Sequence, residues 1–178
     1  MLPPVMNALR ILRSATVTLL VATTAITVSA CGDSQKPKTA NIKPGELPEG
    51  EQWAGVYYHP HFGELHLQEE GTNIVGAWRR SDQSAWGELS GTFTGNVFHY
   101  RWKEHKTGGM GLTKAGTVTG RGYFVYKLDD EKRPVLKGEY GLNDEEVGSD
   151  WSCVKQTRRT PDLKSVRGDT EAIPPSSF

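Results

Sequence analysis

From Trp53 to Gln156, apolar and polar residues alternate with a period of two, in short runs separated by glycine, proline, asparagine, aspartate and serine. A period of two puts successive side chains on opposite faces of an extended chain, so each run predicts a β-strand with one buried face. The runs are Trp53–Tyr58, Glu64–Glu69, Ile74–Arg80, Trp86–Thr94, Val97–Glu104, Thr117–Leu128, Val135–Tyr140 and Trp151–Gln156, eight in all. In the second, Leu65 and Leu67 face one way and Glu64, His66 and Gln68 the other. In the fifth, Phe98, Tyr100 and Trp102 oppose His99, Arg101 and Lys103. Turn residues lie between the runs at His59-Pro60-His61, Gly71-Thr72-Asn73, Ser81–Ser84 and Asp129–Lys132. Gly95-Asn96 predicts a tight hairpin. The glycine-rich stretch Lys106–Lys114 and the acidic stretch Asn143–Asp150 predict longer loops.

One pattern recurs: Gly55-Val56-Tyr57, Gly76-Ala77-Trp78, Gly91-Thr92-Phe93, Gly122-Tyr123-Phe124 and Gly138-Glu139-Tyr140. Residues two apart share a face, so each glycine and its aromatic point the same way. Glycine weakens a strand and marks a bend or a close approach, and an aromatic on a neighbouring strand can cover the bare backbone. Small and large residues alternating on the inner face of eight short antiparallel runs predict an all-β fold, a small eight-stranded up-and-down meander barrel. Closure would leave no sheet edge. A β-sandwich is the alternative that strand count allows.

The stretch Gly55-x-Tyr57, Gly63, Leu65, Leu67, Gly71, Gly76-x-Trp78 resembles the opening hairpins of the avidin-type calycin barrels, and the strand around Trp151 resembles their closing strand. Lipocalins usually open with Gly-x-Trp, where this chain has Tyr57. The resemblance implies an up-and-down barrel and a ligand-binding interior. The residues that hold biotin in avidins have no counterpart here.

Ahead of the alternating region the pattern changes. Met1–Arg13 carries Arg10 and Arg13 and no acid, and Ala15–Ala30 is apolar but interrupted by Thr16, Thr18, Thr23, Thr24, Thr27 and Ser29. That run is too short and too polar for a permanent span of ~20 apolar residues, and it predicts a cleaved signal peptide over 1–30. Val28-Ser29-Ala30-Cys31 resembles the lipobox of bacterial lipoprotein signal peptides. The resemblance implies cleavage before Cys31, lipid on Cys31, and a membrane anchor of two or three acyl chains, which hold firmly where one holds marginally. Gly32 after the cysteine implies the outer membrane under the sorting rule of such lipoproteins.

The composition fits that address. Lys+Arg and Asp+Glu are both 21, and losing Arg10 and Arg13 with the leader leaves 19 against 21, a charge of −2. Nothing in that balance favours nucleic acid. Acylation of Cys31 would leave Cys153 without a partner; a Cys31–Cys153 disulfide is the competing reading. Residues 31–52, polar and proline-rich, predict a flexible linker that averages roughly 25 Å and reaches about 70 Å. The barrel domain is expected over 53–156 and a disordered tail over 157–178.

Candidate chemistry is sparse. His59 and His61 are the weak metal candidates, with His66, His99 and His105 elsewhere, and outward-facing structural histidines are the simpler reading. Gly108–Lys114 lacks the spacing of a phosphate loop, and Gly87–Gly91 lacks that of a nucleophile elbow. Cys153 is expected to pack as a small apolar residue. Tyr57, Trp78, Phe98, Tyr100, Trp102 and Phe124 either fill the barrel or line a ligand pocket open at one mouth. The sequence therefore points to a non-catalytic envelope lipoprotein without cofactor, its barrel binding a small ligand or an envelope partner. The alternatives are a structural adaptor without a pocket and, last, a metal-dependent or hydrolytic enzyme.

Overall fold

The structure, a computed structural model, describes residues 36–107 and 116–168. Each predicted run is a strand: β1 Gly55–His59, β2 Gly63–Glu70, β3 Asn73–Arg79, β4 Ala85–Thr94, β5 Val97–Lys106, β6 Gly116–Leu128, β7 Pro134–Leu142 and β8 Ser149–Lys155. Every strand pairs antiparallel with the next, and β8 returns to β1, giving a closed eight-stranded up-and-down barrel rather than a sandwich. β5 runs two residues beyond the expected Glu104 because His105 and Lys106 still pair with Thr117 and Gly116. At the hairpin Gly95-Asn96, Gly95 takes φ +54°, the left-handed backbone that a primed turn requires.

The ladders are unequal. Ten residue pairs join β4 to β5 and ten join β5 to β6, whereas the closing junction of β1 with β8 has two, Tyr57 with Lys155 and Tyr58 with Val154. Gln156 adds one bond beside that seam, its N–H donating to the Val56 carbonyl at 2.7 Å.

Glycine and aromatic residues meet across the ladders. Trp78 pairs with Gly87, Tyr100 with Gly122 and Trp102 with Gly120, and in each pair the ring lies where a glycine Cβ would stand. The missing side chains let the rings lie flat on the inner wall, so three large aromatics fit one narrow barrel.

Two segments outside the strands brace the cylinder, and both depart from expectation. The linker is not free: from Lys38 it forms a strap along the wall. Glu145 Oε2 accepts the Lys38 N–H and Glu146 Oε2 accepts the Ala40 N–H, both at 2.8 Å, while the Glu146 N–H donates to the Lys38 carbonyl. Further on, the Gly45 N–H donates to Asn96 Oδ1 at 2.8 Å, and the Asn96 N–H returns to the Gly45 carbonyl. Backbone hydrogen bonds hold this strap, which is why it shows no apolar period.

The tail is likewise ordered from Thr157 to Gly168. It carries one helical turn, α1 Leu163–Val166, with Asp162 as N-cap, packed on β2 and β3. Val166 is buried there, Arg79 donates through Nε to the Val166 carbonyl at 3.1 Å, and Arg159 pairs with Glu64. Residues 169–178 lie outside the described residues.

Candidate functional site

The barrel has two rims. The odd rim carries the β1–β2, β3–β4, β5–β6 and β7–β8 connections; the even rim carries the other three and the entry into β1. All six sequence-predicted aromatics point into the core between them: Tyr57, Trp78, Phe98, Tyr100, Trp102 and Phe124 are each buried. The structure brings them together with partners that the alternation alone did not single out, Trp53, Phe62, Tyr126, Tyr140 and Trp151.

Their rings form a continuous column. Trp53 closes the even rim, 5.7 Å from Phe98, and Phe98 stands 5.3 Å from Tyr100. Tyr100 lies 6.3 Å from Trp151, which meets Phe62 at the odd rim at 5.0 Å. Trp78 and Phe124 flank Trp151 at 5.4 and 5.2 Å. Edge-to-face and tilted contacts of this kind each add about 0.5–1.5 kcal/mol beyond simple burial.

Polar tips within the column are handled in two ways. The Tyr57 hydroxyl donates to the Trp53 carbonyl at 2.8 Å, Trp102 Nε1 to the Arg121 carbonyl at 3.1 Å, and Trp53 Nε1 to the Gly95 carbonyl at 3.2 Å. Trp78 Nε1, Trp151 Nε1 and the Tyr100 hydroxyl are buried without a hydrogen-bond partner. The Trp151 indole lies near enough to Cys153 to offset part of the upward push that burial gives that thiol, yet makes no hydrogen bond of ordinary geometry. Burial likewise pushes the Tyr100 hydroxyl well up. Cys153 is buried on the inner face, as its spacing from Trp151 predicts, and is unpaired among the described residues.

At the even rim an inward lysine follows the same register. Trp151, Cys153 and Lys155 alternate on β8, and the Lys155 ammonium donates to Gln52 O at 2.6 Å, the Tyr126 hydroxyl at 3.0 Å and Glu51 Oε2 at 3.3 Å. It also faces the Tyr126 ring at 5.2 Å. The Tyr126 hydroxyl donates to Glu51. This cluster is fully partnered and locks the strap end to the barrel. A lysine at an inward position was the signal for it in the sequence.

The histidines serve the framework. His59 Nδ1 accepts the N–H groups of His61 and Phe62 at 3.1 and 3.2 Å, and Arg80 donates to His61 Nε2 at 3.2 Å. Arg80 also forks onto Glu104 Oε2 at 3.0 and 2.8 Å. Among the described residues no three histidine, cysteine or carboxylate side chains converge as metal ligands.

His66 and His99 leave the inner face as alternation predicts, but His66 is not exposed. The tail covers it, Nδ1 accepting the Asp162 N–H at 2.9 Å with Glu64 Oε2 3.3 Å from Nε2. His99 meets buried Glu146 at 2.6 Å beneath the strap. His105 stacks on Trp86 with centroids 4.3 Å apart, and its Nε2 is buried without a partner. Beside that stack lies a surface depression of about 180 Å³ lined by Arg79, Gln83, Ala85, Trp86, Thr107 and Gly168. Arg79, which lines it, donates to the carbonyls of Val166 and Arg167 in the tail.

Cys31 and the glycine-rich stretch Gly108–Lys114 lie outside the described residues. No protein-family model, curated protein or solved structure matches the chain.

Proposed function

We propose that the chain is a bacterial cell-envelope lipoprotein, anchored by lipid on Cys31 and directed to the outer membrane, whose barrel is a packed, non-catalytic adaptor for an envelope partner. The observation that carries the adaptor reading is the column of rings from Trp53 to Phe62. An interior filled by its own side chains leaves recognition to the outer surface and the rims. Large apolar residues are exposed only singly among the described residues, at Tyr58, Leu128 and Leu142, so the partner surface is polar in character. The positively charged leader and Val28-Ser29-Ala30-Cys31 support the anchor.

A second reading, a small ligand held among the rings, is favoured by the three unpartnered groups on Trp78, Tyr100 and Trp151. Such groups are costly to bury alone, about 1–3 kcal/mol each, and an acceptor-bearing ligand would relieve that cost.

Membrane fractionation and intact mass test the anchor. The native chain is expected in the membrane fraction with an acylated Cys31, and Cys31→Ser is expected in the soluble fraction or with its leader uncut. Normal processing and unchanged membrane association of the variant would sink the reading. Native mass spectrometry of the protein purified from its own cells separates the two roles: a co-purifying protein supports the adaptor, a retained small molecule the ligand site.

A further inference from the structure

We propose that the edge of β8 at Asp150 and Ser152, where its pairing with β1 stops short, takes an added β-strand: an extended, lysine- or arginine-bearing segment of a partner protein. This rests on the adaptor reading above and names the surface through which it works.

The free edge follows from the register. β7 pairs with β8 from Ser149 to Val154, whereas β1 meets β8 only at Lys155 and Val154. In an antiparallel ladder every second residue turns its N–H and C=O to the same neighbour. The Gln156 N–H donates to the Val56 carbonyl and Val154 stands opposite Tyr58, so Ser152 and Asp150 turn theirs to that side as well. Continued past Tyr58, the register would set Pro60 and Phe62 against them, and neither offers β8 an N–H. Pro60 has none, and its carbonyl accepts the Ser81 hydroxyl at 2.8 Å. The Phe62 N–H donates to His59 Nδ1 at 3.2 Å, and its ring packs on Trp151. Arg80 also donates to His61 Nε2, so the β1–β2 turn is tied to the β3–β4 connection and not to β8. Among the described residues no backbone hydrogen bond outside the strand ladders reaches Asp150 or Ser152. Both are exposed, and such an edge is a template for another strand, which gains main-chain hydrogen bonds by lying along it.

Charge chooses the occupant. Asp150 and Glu139 stand side by side across the β7–β8 ladder, with Lys137 one pair along opposite Ser152, and no ion pair engages either carboxylate among the described residues. Glu139 accepts the Tyr123 hydroxyl and the Gly148 N–H at 3.0 and 3.2 Å, which leaves Asp150 as the open anion. A cation directly across from it strengthens strand pairing up to about fivefold. A second copy of the chain on the same edge would bring acid against acid, so self-pairing is disfavoured.

The test uses the native full-length chain in uncharged detergent, with blocked hexapeptides as probes: alternating lysine and valine, alternating glutamate and valine, and the lysine peptide N-methylated at its lysine backbone nitrogens. At millimolar concentration the first is expected to slow amide exchange at Asp150 and Ser152 at least about threefold while the β4–β5 ladder is unchanged. N-methylation, which removes the N–H groups that face β8, is expected to abolish the effect, and Asp150→Lys to move the preference to the glutamate peptide. Unchanged exchange at both amides, equal protection by the N-methylated or glutamate peptide, or protection that rises with protein concentration alone overturns the proposal. Native mass spectrometry separates it from the reading it rests on. A co-purifying protein without protection at these amides overturns the edge alone; a retained small molecule without any protein overturns the adaptor reading and the edge with it.

Discussion

The phenol of Tyr100 lies directly across the β5–β6 ladder on Gly122, so close that a Cβ at position 122 would stand 2.6 Å from the ring and 2.7 Å from the Glu139 carbonyl. Neither neighbour can yield, because Tyr100 is buried in the ring column and the carbonyl belongs to a strand. Gly122→Ala is therefore expected to destabilise the barrel by about 2–3 kcal/mol, as overpacked cores do. Urea unfolding of the variant measures it. In a double-mutant cycle with Tyr100→Leu the costs should be strongly non-additive; additive costs would mean the ring does not sit on that glycine.

The strap depends on Glu146, whose two oxygens serve the Ala40 N–H and the His99 ring. Glu146→Ala removes both contacts, one to the half-buried Ala40 N–H and one to the partly exposed His99 ring, a loss of about 1–2 kcal/mol. Hydrogen exchange at residues 38–46 is expected to accelerate in the variant while β2 and β3 stay protected. Uniform acceleration across the barrel would instead make the residue part of the global core.

His105 should make stability pH-dependent. Burial, and then the charge of Lys103, hold its imidazole below the ordinary 6.5, with Glu88 opposing. The folded chain thus prefers the neutral ring: this contribution is intact above 6.5 and is lost as the pH falls through the lowered value. His59, lowered by burial and by His61, acts in the same direction. The urea midpoint is expected to drop between about pH 7 and pH 5, and His105→Phe, which keeps a ring against Trp86, should flatten that slope. An identical slope in the variant would assign the effect to other groups.

Cys153 should be inert. Burial pushes its thiol far up, so thiolate is scarce near neutrality. Iodoacetamide is expected to leave it unmodified in the folded protein and to modify it fully in urea without reductant. Modification only after reduction would reveal the competing disulfide with Cys31.

The sequence made the barrel legible because its strands alternate without interruption and its glycines sit opposite rings. Of the glycines in the recurring glycine–aromatic spacing, Gly122 lies under the Tyr100 ring as expected, whereas the rings of Trp78 and Trp102 cover Gly87 and Gly120, which stand outside that spacing. The inward set was readable for the same reason, down to Cys153. The column's ends were not. Phe62 lies in a turn, where no period marks which way a side chain points, and Trp53, although it alternates with Gly55 and Tyr57 in the first run, stands ahead of the first paired residue. The strap and tail were missed because they bind through backbone groups to Glu145, Glu146, Asn96, Arg79 and His66, contacts between residues about 50 to 100 positions apart. Polar, proline-containing text reads as free chain when the residues that satisfy it are that remote.

The short junction of β1 with β8 gives this cylinder a preferred place to rip. Two stitches and one backbone bond from Gln156 fasten it, against ten stitches at β4–β5, and the chain enters and leaves the barrel on either side of that weak line. Tension applied to the chain ahead of Lys38 would first unpeel the strap one bond at a time, then load Glu51 and Lys155 at the knot beside the seam. Under such a pull the strap would slacken before the force reached the strand whose departure would uncurl the wall.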